Sequence, residues 1–280
     1  MQTMLYMPHF ALRPYIQIYM HSNVGGEGQR MELDLFPVGH SVMTFILNEN
    51  HFLHNTTLNK YFNVRFNFTG QLNHYHHLIT SPASMIYVMF KPFGAFRLLG
   101  IPQHLLVNEC VLVSDILGGV INDLCQQMED RAHSPKDVIS LLEQWLLKQL
   151  KKSEKPQTER IALACQNIIF SGGNLPINEL YRLTNMSKSS LEQHFKEQVG
   201  LSLKTFSRVI RFNRVNKFLI ASATKDWQEL VYRYGYFDQA HFIHEFKHFF
   251  GYSPSQIHLS HQNLASHVLS LEGNANDSSL

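Results

Sequence analysis

The chain has 280 residues, 44% hydrophobic and 16% charged, a balance that excludes a disordered polymer and allows two domains of ordinary size. The net charge of +2 is unevenly placed: residues 1–150 carry −2, residues 151–157 carry +2, residues 158–260 carry +4 and residues 261–280 carry −2. A basic excess in the second half suits a polyanion there, and the lack of an apolar run of about 18 residues predicts a soluble, cytoplasmic chain without membrane contact.

In chain order, residues 41–47, 61–68 and 85–90 are short, rich in β-branched and aromatic types, and separated by Asn, Gly and Pro, which predicts strands of a β-rich sheet or barrel. Two helices are expected next, over about 116–130 and 135–150, the second opening with Ser134 as cap and Pro135 in its first turn. Leu141 to Leu150 on that helix is the expected seam of a homodimer. Cys110, Cys125 and Cys165 are unpaired in spacing and odd in number, so buried thiols in a reducing compartment are expected.

His74 and His76 alternate, so on one strand both would face the same side and invite a metal. No carboxylate follows at usable spacing, and a structural histidine cluster is the preferred reading; no metal and no cofactor are expected. The Pro92 to Gly94 segment reads as a turn between strands, with Lys91 or Arg97 as candidates to hold an acidic effector. Neither a Ser/His/Asp order nor a phosphate-binding loop is present, so no enzyme is expected.

Residues 151–157 hold no apolar residue except Pro156 and separate two apolar helical stretches; they are the expected linker between a first domain at 1–150 and a second at 158–260. The second domain repeats itself: Phe195-Lys196 with Gly200 and Ser202 returns as Phe246-Lys247 with Gly251 and Ser253, an offset of 51 residues. In the first copy, residues 176–183 form a leading helix, Thr184-Asn185-Met186 turns, and Ser187 caps a helix through Val199. In the second, Asp226 to Glu229 has capping-box spacing, Gly235 turns, and Asp238 caps. Leu191 with Phe195, and Phe242 with Phe246, lie four apart and face inward.

Each copy is a helix-turn-helix, whose second helix enters a DNA major groove. The outward residues are then Lys188, Ser189, Glu192, Gln193 and Lys196 in one copy and Gln239, Ala240, His241, His244 and Lys247 in the other. Between them residues 202–219 lack Gly and Pro and read as a single helical rod of roughly 27 Å. Lys204, Arg208 and Arg211 share one side of it and are expected to hold phosphates. The tail, 261–280, ends in small and polar residues and should fray.

The stretch from Tyr234 to Pro254, with its Gly-aromatic turn, Asp238, Ala240, His241-Phe242, Phe246-Lys247, Gly251 and Ser253-Pro254, resembles the DNA-binding domain of AraC/XylS transcriptional regulators. Ser187, Leu191, Phe195, Lys196, Gly200 and Ser202 match the first motif of that pattern. Leu12 to Ile16, Phe36 to Gly39 and Val88 to Pro102 resemble, less specifically, the N-terminal domain of one branch of the family. The resemblance implies an α+β two-domain fold: a cupin-like barrel followed by helices, then an all-α tandem helix-turn-helix. It also implies double-stranded DNA, RNA polymerase, a small-molecule effector and a second copy of the chain as partners. Where the family often has arginine, this chain has Gln193 and His244, so the preferred bases should differ. A metal-dependent cupin-type enzyme and a partner-binding protein are the alternative readings.

Overall fold

The computed structural model describes residues 2–25, 30–48, 51–62, 65–152, 158–221, 227–259 and 262–263. The first half is β-rich and ends in helices; the second half is helical. Its strands are β1 (Gln2–Tyr6), β2 (Ile16–Val24), β3 (Met31–Leu35), β4 (Val42–Ile46), β5 (Leu53–Asn55), β6 (Lys60–Phe62), β7 (Phe66–Thr69), β8 (His76–Thr80), β9 (Ala83–Phe90) and β10 (Cys110–Leu112). They form two sheets rather than one closed barrel: β1-β2-β9-β4-β7-β10 and β11-β3-β8-β5-β6, where β11 (Gln262–Asn263) pairs in parallel with β3.

Strand β9 shows how the sequence sets these layers. Ile86, Val88 and Phe90 point to a core shared with the helices, while Met85, Tyr87 and Met89 point to a second cluster on the other face. The helical layer comprises α1 (Gly94–Leu99), α2 (Val113–Leu117), α3 (Asn122–Asp130) and α4 (Pro135–Lys152). On α4, Leu142 and Leu146 are buried, and Leu141, Trp145, Leu147 and Leu150 pack against the same core. The apolar stripe expected at a dimer seam is therefore used within the chain.

The segment after Pro92 is not a strand-to-strand turn but the start of α1. Gly94 is required there because a Cβ would lie 1.9 Å from the Tyr15 carbonyl oxygen. Of the linker, Lys151 and Lys152 extend α4, and residues 153–157 lie outside the described residues. Of the tail expected to fray, residues 262–263 are paired with β3 and 264–280 lie outside the described residues.

The second half runs α5 (Thr158–Phe170), α6 (Ile177–Thr184), α7 (Lys188–Val199), α8 (Leu203–Ala221), α9 (Trp227–Arg233) and α10 (Gln239–Phe250). Its core contains Leu191, Phe195, Phe206, Phe212, Phe242 and Phe246, each at most 1% exposed. Two residues of the first half, Phe36 and Phe93, belong to this core. The cores are thus interlocked, and Gly251 marks one joint: with φ +83°, it leaves room for the Tyr75 ring, which a Cβ would meet at 2.7 Å. There the Tyr75 backbone N–H donates to the His248 carbonyl at 3.3 Å.

Candidate nucleic-acid interface

The two recognition helices are built alike. Asn185, left-handed at φ 50°, ends α6; the Ser187 hydroxyl oxygen then accepts from the Ser190 backbone N–H at 3.2 Å and opens α7. Gly235, at φ 71°, follows α9; the Asp238 carboxylate accepts from the His241 backbone N–H at 2.7 Å and opens α10. The capping box expected at the start of α9 needs Asp226, which lies outside the described residues.

On α7, Lys188, Ser189, Gln193 and Lys196 are exposed, and Glu192 is half-buried with its carboxylate accepting from the Tyr181 hydroxyl at 3.3 Å. On α10, Gln239, Ala240, His241, His244 and Lys247 are exposed. His241 leans back toward Glu245, 3.6 Å away. Both helices thus present polar outer faces above an aromatic core.

The expected phosphate stripe on α8 is divided by packing. Lys204 is exposed. Arg208 instead pairs through Nε with the Glu245 carboxylate and lies 5.3 Å over the Phe249 ring, fastening α8 to α10. Glu245 is only 3% exposed, so the guanidinium supplies the countercharge that a buried carboxylate needs. Arg211 donates to the Gly173 carbonyl at 3.1 Å and to the Gly235 carbonyl at 3.4 Å, and sits 5.7 Å from the Tyr236 ring. These two arginines hold the bundle together; the direction of a residue on a helical wheel did not reveal that α10 and the Gly173 turn cover that side.

One exposed residue was missed. The two turns align at an offset of 50 up to Met186 and Tyr236, both buried, and at 51 from the caps Ser187 and Asp238 onward. The difference is a single inserted residue, Phe237, which is 91% exposed at the entrance to α10. The change of register between the repeats is the signal that marks it.

Between the two sheets lie two adjoining lobes of cavity, of about 80 and about 100 Å³, which share Leu35, Thr44, Thr69, Leu72 and Tyr87 in their walls. Phe36 also lines the second lobe. Lys91 and Arg97, proposed from sequence for an acidic effector, line neither lobe. Arg97 lies 5.4 Å from the Tyr15 ring, and burial lowers the Lys91 pKa.

His74 and His76 do come together, with ring centroids 4.6 Å apart. Among the described residues, no group of three His, Cys, Asp or Glu is placed to hold a metal. The three thiols are unpaired, and burial raises the pKa of each. No helix among the described residues is long and apolar enough to cross a membrane.

Residues 180–258 match a helix-turn-helix domain family, and residues 4–112 match a domain of unknown function (DUF6597). The Msm operon regulatory protein of Streptococcus mutans is 28% identical over 130 residues, which is 46% of this chain and 46% of that protein; the match thus spans about half of the curated relative. The crystal structure of ToxT from Vibrio cholerae O395 superposes with a TM-score of 0.42 at 13% identity, covering 81% of this chain and 95% of that one. That of the AraC-like transcriptional activator CuxR gives a TM-score of 0.25 at 12% identity, covering 79% and 86%. The duplicated, capped motif lies inside the matched region, so this part of the chain is a helix-turn-helix domain.

Proposed function

We propose that this chain regulates transcription by holding double-stranded DNA against α7 and α10, with Gln193 and His244 reading base edges and Lys204 holding a phosphate. The observation that carries this reading is the paired architecture itself: two helices opened by side-chain caps, each with its core pair buried and its polar side exposed. Lys188, Ser189, Lys196, Gln239, Ala240, His241 and Lys247 complete the proposed contact surface. Ala240 is small enough to let the backbone approach a thymine methyl. Phe237 is added to this surface as an apolar contact beside α10.

The N-terminal domain is proposed to bind a small-molecule effector between its sheets and to pass its occupancy on through Phe36, which touches both the cavity and the helical core. A homodimer and contact with RNA polymerase belong to the same proposal, as does a cytoplasmic location. Fluorescence anisotropy of the full chain with labelled genomic fragments tests it. Binding should weaken with salt through phosphate contacts, and Gln193→Ala should relax preference at one position by about 1–3 kcal/mol. Affinity for no fragment, at any salt concentration, would refute it.

A further inference from the structure

The first cavity lobe is lined by two histidines that each use only one ring nitrogen in hydrogen bonding. His51 and His76 both line it, at 7% and 2% exposure, and the Nε2 atom of each is buried without a partner among the described residues. Their tautomers follow from their neighbours. Asn55 Oδ1 accepts from the Leu58 backbone N–H at 3.0 Å, so its Nδ2, 2.9 Å from His76 Nδ1, must donate there. With Nδ1 accepting, the proton of a neutral His76 sits on Nε2. Likewise Ser81 Oγ accepts from the Phe52 backbone N–H at 3.0 Å and can give its own proton to His51 Nδ1 at 3.3 Å. With the hydroxyl donating in this way, His51 also carries its proton on Nε2.

Leaving two such N–H groups unmet in an apolar interior costs about 1–3 kcal/mol each, and the lobe beside them is the space from which acceptors can come. Its remaining wall is mostly apolar, including Leu33, Ile46, Leu53, Leu78 and Met85. Among the described residues, no lysine or arginine lines either lobe. Glu109, a carboxylate in the lining, is paired with Lys60 at 2.7 Å and offers no donor to an anion. Burial holds both imidazoles down, to a pKa of about 4, so neither supplies positive charge near neutral pH.

We infer that the lobe binds an uncharged molecule with an apolar body and carbonyl or ether oxygens, such as a lactone, ester or ketone, whose oxygens accept from His51 Nε2 and His76 Nε2. This deepens the effector reading above and rests on it for its regulatory meaning. The lobe itself does not suit a carboxylate, which would lose its hydration and find no cation among the lining residues. Size sets a second limit: an apolar cavity of about 150 Å³ holds benzene, so lobes of about 80 and about 100 Å³ suit a compact molecule.

The test is isothermal titration of the full chain at neutral pH with δ-valerolactone and with pentanoic acid, in the absence of DNA. The lactone should bind saturably and at least tenfold more tightly than the acid, and His51→Leu and His76→Leu should each weaken it tenfold or more. Should either variant fail to fold, nitrogen-15 spectra of the wild-type imidazoles supply the readout: two neutral Nε2–H signals should move on adding lactone and stay still on adding acid. Equal or tighter binding of the acid, or no saturable lactone binding because only water meets the two N–H groups, would overturn the inference. DNA affinity measured in parallel without lactone separates the two readings: retained duplex binding with no lactone binding defeats this inference alone, and lost duplex binding defeats the regulator.

Discussion

Phe36, just beyond β3, stacks on Phe250, the last residue of α10, with ring centroids 4.5 Å apart and planes 22° from parallel. Phe36 also meets Phe212 edge-on at 6.5 Å. A residue of the β-rich half thus packs into a core built mostly by helices of the second half. Phe36→Ala should lower stability by about 3–5 kcal/mol, with Phe36→Leu recovering much of the loss. Urea melting of both variants measures this; an unchanged midpoint would show that the stack carries no load.

The two kinds of cation on α8 should separate cleanly. Arg208→Ala strands the buried Glu245 carboxylate and should cost about 3 kcal/mol of stability, the penalty for an uncompensated buried charge. Lys204→Ala should leave stability within about 0.5 kcal/mol, as exposed substitutions do. It should instead weaken binding to all duplexes alike and reduce the slope of log affinity against log salt by about 1. Melting and salt-titrated anisotropy on the same preparations distinguish them.

Phe237 offers the inverse pattern. Its ring is 91% exposed, so Phe237→Ala should leave the melting midpoint essentially unchanged. On DNA it should alter preference at a single position next to the α10 contact, read by selection from a randomised duplex. Unchanged preference would remove Phe237 from the contact surface.

Acid should loosen the N-terminal domain in a defined window. Burial depresses His51 and His76 from 6.5 to about 4 in the folded chain, so between those values the unfolded chain binds more protons. Their contribution is complete above about pH 6.5 and is lost as pH falls toward about 4. Urea midpoints measured across this range should fall with pH, and His51→Gln and His76→Gln should each flatten the slope. A slope identical in wild type and both variants would mean that neither ring is held neutral by burial.

What the sequence disclosed was what is local. Ser187 and Asp238 act as caps because each cap bonds three residues on, and Leu191/Phe195 and Phe242/Phe246 face inward because four residues make about one helical turn. The fate of Arg208 and Arg211 was not legible, since it depends on Glu245 and Gly173, far away in the chain. Gly94 looked like turn punctuation; its reason is the Tyr15 carbonyl, a contact of tertiary structure. The cavity was hidden for a like cause: it is walled by alternate residues of several strands, some of which have only three residues and little pattern of their own.

Selection of bound sequences from a randomised duplex library by the full chain, repeated with Gln193→Ala and His244→Ala, decides whether α7 and α10 read DNA. Two preferred elements about one helical turn, roughly 10 base pairs, apart are expected, with each substitution blurring a different one. No enriched sequence with the wild-type chain, or enrichment that neither substitution alters, would contradict it.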